Sequence, residues 1–195
     1  MHDVLEAAEA ERLAAMVQRA ADIRLAGKVE RCHTIPHQGS YNVAAHTWGA
    51  AMLLHQLFPE SFERLVLPML AHDVGEGWVG DIPATTMRYS GAAWMIDKLE
   101  ARCVRRLGLP SLDDVSGEDF LILKACDFLE FYLWLREEAN RGNGYVVDTL
   151  DYVRTRLGDD PTLPAPARRF FLACERHKLL PQAARILKKI AEEMD

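Results

Sequence analysis

Four residues in the middle of the chain carry side chains that bind divalent transition metals. His46, the pair His72-Asp73, and Asp127 each stand in an apolar stretch. A buried imidazole or carboxylate is costly there unless it is paired or bound to an ion. Two imidazoles with carboxylates suit a borderline divalent ion such as Mn, Fe, Co, Ni or Zn. Such an ion activates water and polarises a phosphoryl oxygen, so these residue types predict metal-assisted hydrolysis.

Two further acids follow the His-Asp pair. Glu76 comes four residues after His72 and three after Asp73, which places all three on one face if the helix continues. Asp81 follows in a Gly-Asp-Ile-Pro turn that can hold a second acid close to the first. The region therefore predicts a carboxylate pair beside the metal ligands.

Each of these signals has a simpler interpretation when it is taken alone. A His-Asp dipeptide occurs by chance in many proteins, and a buried His46 can be hydrogen-bonded to a carbonyl group. Lys124, Asp127 and Glu130 recur every third residue, so they can also form a polar stripe that faces water. His46, however, shares a helix face with Gly49, a small residue that lets another helix or an ion approach closely.

The elements that must position these residues are helices. Apolar residues recur at helical spacing along most of the chain, and no stretch alternates as a strand would. We predict a single all-α domain over residues 1–195, with Asn42 as the cap of the helix that carries His46. A loop rich in glycine is expected from Gly75 to about Gly91. The predicted helices cover residues 3–26, 43–58, 62–76, 92–107, 116–140, 145–157, 165–178 and 181–193.

The composition argues against some classes of binding partner. The 195 residues are 49% hydrophobic and carry a net charge of −6 without a Lys/Arg-rich stripe, which argues against a nucleic-acid polymer as ligand. No apolar run approaches the roughly 20 residues of a membrane span. Acids occupy the N-terminus where a signal peptide has basic residues, so we expect a cytoplasmic protein. The four scattered cysteines predict reduced thiols rather than a disulfide framework.

The order His46, His72-Asp73, Asp127 on a helical chain resembles the H…HD…D signature of the HD-domain metal-dependent phosphohydrolases. The segment NVAAHTWGAAML is similar to that family's N-V-x-E-H-S/T block. The segment HDVGEGWVGDIP is similar to the H-D-x-x-E-x-x-x-G-D-[IL]-P block of the bacterial 5′-deoxynucleotidase (YfbR-like) branch. The resemblance covers roughly residues 30–143. It implies an HD-type helical bundle with a metal site in its core, on which the C-terminal helices at 145–193 pack.

The resemblance also implies roles for individual residues. Glu76 orients or deprotonates the attacking water, Asp81 stabilises that water or gives a proton to the leaving oxygen, and Arg31 binds the substrate phosphate. The cofactor implied is one divalent transition metal (Mn, Co, Fe, Ni or Zn), and a second Mg or Mn that arrives with the substrate phosphates is a further option. The implied metal ligands are His46, His72, Asp73 and Asp127.

Some positions depart from the bacterial branch. Cys32 stands where that branch has an aromatic residue, Ala45 replaces a glutamate beside the first histidine, and 26 residues separate His46 from His72, a short spacing. In these respects the chain is more similar to phage-encoded members that act on deoxyadenosine nucleotides. The candidate substrate-binding residues besides Arg31 are Cys32, His33, Ile35, Trp78 and Arg88. A solvated surface charge is the simpler interpretation of Arg31 and of Arg88.

We therefore expect a hydrolase of 2′-deoxyribonucleoside 5′-phosphates, either a monophosphate nucleotidase or a triphosphohydrolase, with dAMP or dATP as the first substrates to test. The alternative is a regulatory HD module that binds metal and nucleotide without turnover. The presence of both Glu76 and Asp81 beside the metal ligands favours the enzyme. We also expect a homo-oligomer, located in the cytoplasm of a bacterium or of a phage-infected host.

Overall fold

A computed structural model describes residues 2–115, 117–177 and 189–190 of the chain. These residues contain nine α-helices and three short 3₁₀ turns, and within them the only extended pairing is an isolated bridge between Glu30 and Asn42. The prediction of an all-α fold is confirmed. The helices are α1 (His2–Ala26), α2 (Val43–Leu57), α3 (Phe62–Ala71), α4 (Glu76–Val79), α5 (Ala84–Tyr89), α6 (Ala93–Arg106), α7 (Gly117–Asn140), α8 (Val147–Asp159) and α9 (Ala165–Arg176). The 3₁₀ turns are Pro59–Ser61, Leu112–Asp114 and Gly144–Val146.

The start of α2 is set by the predicted cap. Asn42 has an extended backbone, and its side chain accepts a hydrogen bond of 3.0 Å from the backbone N–H of Ala45. This bond satisfies one of the amide groups that a helix start leaves without a partner. As a result, His46 lies in the first turn of α2, on the buried side of the helix.

The helix predicted over residues 62–76 is shorter in the structure, because a turn separates α3 from α4. The helix ends at Ala71, and the chain continues through short turns, with bonds from Val74 N to Ala71 O at 3.1 Å and from Glu76 N to Asp73 O at 3.0 Å. Gly75 makes this path possible because an added Cβ would lie 2.7 Å from Glu100 Cβ on α6. Bonds of the i to i+3 type place Asp73 and Glu76 on one side of the turn.

The segment predicted as a loop from Gly75 to Gly91 is also partly helical. It contains the two short helices α4 and α5, separated by a turn in which Gly80 has φ +76°. Helices this short lack the repeated apolar spacing from which a helix can be predicted. The prediction of a loop throughout this segment is therefore wrong.

The core has two parts. The larger cluster joins α2, α3, α7, α8 and α9, with Leu54 and Leu129 fully buried at its centre. A smaller cluster joins the end of α1 to the α3–α4 turn and to α6, through Ala26, Val74 and Val104. The His72-Asp73 pair stands where the two clusters meet, because Ala71 and Val74 on either side of it belong to the smaller cluster and Met69 belongs to the larger one.

Two further predictions concern the C-terminal helix and membrane-spanning segments. The predicted helix at 181–193 lies outside the described residues, apart from positions 189 and 190, which are helical. Among the described helices, none is both long and apolar enough to cross a membrane.

Candidate active site

His46 is held by a carboxylate from a neighbouring helix. Its side chain is fully buried, and its Nδ1 lies 2.5 Å from Glu130 Oε2 on α7. The hydroxyl of Tyr41 donates to the same carboxylate oxygen at 2.6 Å. Glu130 packs across Gly49, where an added Cβ would lie 2.8 Å from Glu130 Cγ. A carboxylate that accepts from Nδ1 keeps the proton there and leaves the Nε2 lone pair available to a metal.

His72 is oriented in the same way by its own helix. Its Nδ1 bonds to the carbonyl oxygen of Met69 at 2.6 Å, and its Nε2 is buried without a hydrogen-bond partner among the described residues. Asp73 Oδ2 lies 3.3 Å from this Nε2 and 3.5 Å from that of His46. The α3–α4 turn therefore brings one imidazole and one carboxylate to the nitrogen that α2 presents.

Asp127 completes the cluster from α7. Its Oδ1 lies 3.1 Å from His46 Nε2 and 3.8 Å from His72 Nε2. The ligand atoms that His46, His72 and Asp127 offer all lie within 4.8 Å of one another, so these three residues could hold a metal ion. The other oxygen of Asp127 accepts a hydrogen bond of 2.5 Å from Lys124 Nζ. The structure thus brings together His46, His72, Asp73 and Asp127.

The electrostatics of this cluster fit a cation. The Nε2 atoms of both His46 and His72 are buried and have no hydrogen-bond partner in the described part of the chain, yet both face carboxylate oxygens. Burial lowers the pKa of His46, but Asp127 and Glu130 outweigh it and raise that pKa to about 9. Burial raises the pKa of Asp127, but Lys124 and the two imidazoles bring it well below its usual value. The site therefore demands positive charge, and two nitrogen and two oxygen donors suit a borderline divalent ion.

Arg31 and Glu76 lie directly beside these ligands. Arg31, in the loop between α1 and α2, is ion-paired with Asp73, and its Nη1 lies 3.3 Å from Glu76 Oε1. Glu76 is the first residue of α4 and is only 9% exposed, and its Oε2 has no hydrogen-bond partner among the described residues. Burial and the charge of Asp73 raise the pKa of Glu76 to about 9, against the opposite effect of Arg31. A cation and a buried carboxyl group thus adjoin the cluster.

Asp81 is tied to the loop that follows Arg31. Its Oδ2 accepts a hydrogen bond of 2.8 Å from the backbone N–H of Cys32 and lies 3.6 Å from His33 Nδ1. Cys32 has φ +54°, an uncommon conformation for a residue with a side chain, which lets its N–H reach Asp81. Burial, reinforced by Asp81, raises the pKa of the Cys32 thiol to about 12, so the thiol is neutral. The structure therefore brings Cys32, His33 and Asp81 together beside Arg31.

The chain is similar to several known proteins. No protein-family model matches the chain. A dATP triphosphohydrolase of Salmonella phage PMBT28 is 27% identical over 139 residues, which cover 64% of this chain and 70% of that protein. The cyanophage S-2L HD phosphohydrolase DatZ, solved with dA and one catalytic Zn²⁺ ion, is 18% identical and superposes with a TM-score of 0.59 over 87% of this chain and 96% of its own.

Two other solved structures share the architecture. An HD-domain phosphohydrolase from Listeria innocua is 16% identical and has a TM-score of 0.62, over 80% of this chain and 85% of that one. The PH0347 protein from Pyrococcus horikoshii OT3 is 15% identical and has a TM-score of 0.65, over 83% of this chain and 99% of that one. The chain has the HD-domain fold. The predicted resemblance to HD-domain phosphohydrolases is confirmed.

Three of the predicted pocket residues of this HD-domain chain lie apart from the metal-ligand cluster or have other partners. Ile35 is half-buried and packs against the larger core cluster. Arg88 on α5 is hydrogen-bonded to the hydroxyl of Tyr152 on α8, and its guanidinium lies 5.2 Å from the centre of that ring. Trp78 on α4 lines a groove between α1 and α6. Substrate binding by these residues remains a prediction, and the positions of Arg88 and Trp78 do not favour it.

Sequence reasoning missed several residues that adjoin the candidate site. Lys124 and Glu130 fit a stripe that faces water, but the structure turns both toward Asp127 and His46. Glu100 on α6 packs against Gly75, and burial together with the nearby Asp73 raises the pKa of Glu100 to about 7. The spacing of Lys124 and Glu130 around Asp127 was the available signal for these two residues, whereas no local motif points to Glu100.

Proposed function

We propose that this chain is a divalent-metal-dependent phosphohydrolase that acts on 2′-deoxyribonucleoside 5′-phosphates, with an adenine deoxynucleotide as its first candidate substrate. The observation that carries the proposal is the pair of buried, unpartnered Nε2 atoms of His46 and His72, which face two carboxylates in the described part of the chain. The hydrolase class is supported by the relatives, which include a dATP triphosphohydrolase and an HD phosphohydrolase solved with dA and Zn²⁺.

The metal ligands in this proposal are His46, His72, Asp73 and Asp127. Hydrogen bonds at both Nδ1 atoms leave the Nε2 lone pairs as the donors. A divalent ion supplies Lewis-acid chemistry at this point, because it polarises a phosphoryl oxygen and makes water a stronger acid at neutral pH. The Zn²⁺ of the cyanophage relative supports a transition metal, and Mn, Co, Fe, Ni and Zn all remain options for this chain.

Glu76 is the proposed general base. One of its oxygens lies near Arg31, while the other is buried without a partner among the described residues and is free to accept a proton. The raised pKa keeps the proton on Glu76 while no cation is bound. The positive charge of a bound divalent ion would favour the carboxylate, which is the form in which a general base takes a proton. We infer that Glu76 takes the proton of the water that attacks phosphorus.

Arg31 and Lys124 are the proposed phosphate-binding cations. Arg31 is ion-paired with Asp73, and Lys124 Nζ lies 2.5 Å from Asp127 Oδ2, so one cation stands at each proposed carboxylate ligand. Planar guanidinium groups bind phosphate oxygens through two parallel hydrogen bonds, which orients the phosphorus for attack. These cations also explain how a protein with a net charge of −6 can hold an anionic substrate.

Asp81 is proposed to act at the end of the reaction. As the new P–O bond forms, the bond between phosphorus and the 5′ oxygen breaks, and that oxygen needs a proton. Asp81, which is held by the Cys32 N–H, is the proposed donor or the group that stabilises the attacking water. A monophosphate would release orthophosphate by this route, and attack at the α-phosphorus of a triphosphate would release tripolyphosphate.

Other predictions from the sequence accompany this function. We infer that residues 1–195 form one domain, that the protein assembles as a homo-oligomer, and that it works in the cytoplasm of a bacterium or a phage-infected host. The phage origin of the dATP triphosphohydrolase relative supports the last of these.

Product analysis tests the proposal. The purified protein is incubated with Mn²⁺ or Co²⁺ and with dAMP, dATP, AMP, ATP and the other deoxynucleotides, and products are separated by ion-exchange chromatography. We expect release of deoxynucleoside with orthophosphate or tripolyphosphate, faster for deoxyadenosine nucleotides than for their ribose counterparts. Absence of release from every nucleotide would refute the proposal, and release from ribonucleotides at equal rates would refute the substrate assignment.

A further inference from the structure

A cavity lies away from the metal ligands, between α1 and α6. It has a volume of about 560 Å³, and its wall includes Trp78 of the short helix α4. Pockets that bind small molecules typically measure about 300–1,000 Å³. This groove, which we call the arginine groove, is therefore large enough for a nucleotide.

The groove carries an excess of positive charge. Arg19 from α1 and Arg102 and Arg106 from α6 line it, and none of the three forms a hydrogen bond or ion pair with any described residue. The one acid in the lining, Asp22, already accepts a hydrogen bond of 2.9 Å from Gln18. Three like charges around one cavity repel one another unless an anion offsets them.

Two other arginines on these helices have carboxylate partners, whereas the side chain of Arg24 on α1, like those of the three in the groove, forms no hydrogen bond or ion pair with a described residue. Arg105 also lies on α6, but its side chain points elsewhere and pairs with Asp114 at 2.9 Å. Arg12 on α1 pairs with Glu9 at 2.8 Å. An acidic protein thus leaves three arginines without carboxylate partners around one concave surface, as a phosphate-binding site requires.

The groove also offers an aromatic surface. The side chain of Trp78 is 49% exposed on its wall, beside Leu99, which is 44% exposed. A flat indole next to guanidinium groups matches a ligand that joins a planar ring to phosphates, because bases stack on aromatic side chains and guanidinium groups grip phosphate oxygens. We propose that the arginine groove binds a nucleoside phosphate at a site separate from the metal ligands.

Helix α4 lies between the candidate active site and the arginine groove. Gly77 packs against Ala26 of α1, where an added Cβ would lie 2.8 Å from Ala26 Cβ, and Gly75 packs against Glu100 of α6. The same short helix therefore carries Glu76 toward the candidate active site and Trp78 toward the groove. The proposal itself concerns binding and does not depend on hydrolysis.

The test measures ATP binding to the full-length protein by isothermal titration calorimetry and by tryptophan fluorescence, with EDTA present to suppress metal-dependent turnover. We expect one ATP per chain and fluorescence quenching that is mostly lost in Trp78→Phe. The double variant R102Q/R106Q is expected to bind ATP at least about tenfold more weakly, because it removes two charge-assisted contacts. Inorganic tripolyphosphate is expected to compete with ATP.

The matched control is R24Q/R169Q, which removes two exposed arginines that do not line the groove and so causes the same change in net charge. Unchanged ATP affinity in R102Q/R106Q, or an equal loss in the control, would overturn the proposal. A change in oligomer mass in R102Q/R106Q during analytical ultracentrifugation would also overturn it, by identifying the groove as a contact between copies. Metal-dependent turnover of R102Q/R106Q is measured separately, so failure of the groove is distinguishable from failure of the proposed hydrolase.

Discussion

At the scale of single residues, the candidate metal centre depends on which nitrogen of each imidazole carries the proton. Glu130 accepts from His46 Nδ1, and the carbonyl oxygen of Met69 accepts from His72 Nδ1. Both Nε2 atoms consequently lie near the carboxylate of Asp127, where a bound ion would replace the proton that the raised pKa of His46 retains. The residues that orient the ligands are therefore as necessary to the site as the ligands themselves.

The first residue-scale prediction concerns Glu76. Glu76→Gln is expected to lower kcat by at least about 100-fold, the usual contribution of a general base, and to leave the bound metal content unchanged. Steady-state kinetics and elemental analysis of the same preparation measure the two quantities. Glu63→Gln, the same change at an exposed site on α3, serves as control and is expected to keep full activity. Substantial turnover in Glu76→Gln would show that the base is another group.

The second prediction concerns Glu130. Glu130→Gln is expected to weaken metal affinity by about 10- to 100-fold, because a neutral amide oxygen accepts from His46 Nδ1 more weakly than a carboxylate and makes the imidazole a poorer ligand. Competition against a chelator of known affinity measures this change. Glu137→Gln on the same helix removes an exposed carboxylate that lies 3.9 Å from Arg141, and it is expected to leave affinity unaltered. Equal metal affinity in Glu130→Gln and the wild type would contradict the role given to Glu130.

At the scale of elements, the sequence predicted the long helices well and the short ones poorly. The Asn42 cap and the helices that carry His46 and Asp127 follow from capping and periodicity. The break after Ala71 and the helix α4 depend instead on contacts with α1 and α6, which no local pattern records, and α5 is too short to show a periodic pattern. The spacing on α7 likewise predicted a polar stripe at Lys124 and Glu130. The packing of α7 on α2 determines which side of α7 is buried, and the sequence of α7 alone does not show this.

A prediction at this scale concerns Gly75. Gly75→Ala would place a Cβ 2.7 Å from Glu100 Cβ and 2.8 Å from Glu100 Cα, so α4 or α6 must shift. We expect a loss of about 1–3 kcal/mol of stability, together with reduced turnover because Glu76 moves with α4. Chemical denaturation and kinetics measure both.

Gly158→Ala provides the matched comparison, since the nearest atom outside its own helix is a Phe171 ring carbon at 3.9 Å. We expect this variant to be neutral or slightly stabilised. Equal behaviour of the two alanine variants would contradict the close packing that we describe between α4 and α6.

A second prediction at this scale concerns the end of α7, where Glu138 holds the chain before α2. Its Oε2 accepts from the backbone N–H of Gln38 at 3.0 Å and from Asn143 Nδ2 at 2.9 Å, and Arg141 pairs with its Oε1 at 2.8 Å. Burial raises the pKa of Glu138, but these donors outweigh it and lower the pKa below its ordinary value of 4.5. The stabilisation is therefore complete above that value and is lost as pH falls through the lower pKa of the folded state.

Glu138→Gln is expected to lower Tm by about 2–8 °C at neutral pH, where the lost charge-assisted bonds cost about 1–2 kcal/mol. The deficit should shrink as pH falls below about 4, because the wild-type carboxylate is then protonated as well. Thermal unfolding followed by circular dichroism across this pH range measures both effects. A deficit that stays constant with pH would show that the charge of Glu138 is not what stabilises this junction.

At the scale of the whole molecule, part of the net negative charge is concentrated at the candidate metal site. The net charge of −6 argues against a nucleic-acid polymer as ligand, and it includes the carboxylates of Asp73, Glu76, Asp81 and Asp127 in one region. Their charges are partly offset by Arg31 and Lys124, and the remainder fits a divalent cation. Composition alone could not distinguish acids gathered at a site from acids spread over a surface, because that distinction requires the packing of α2, α3 and α7.

The central claim is that hydrolysis of a deoxynucleotide requires a divalent metal at this cluster. The most direct test follows dATP, and in parallel dAMP, by ³¹P NMR with the chelator-treated protein, before and after addition of Mn²⁺ or Co²⁺. We predict no change in the triphosphate signals without metal, and conversion to tripolyphosphate or orthophosphate once metal is added. Hydrolysis that proceeds equally well in the chelator, or none after metal is restored, would contradict the account.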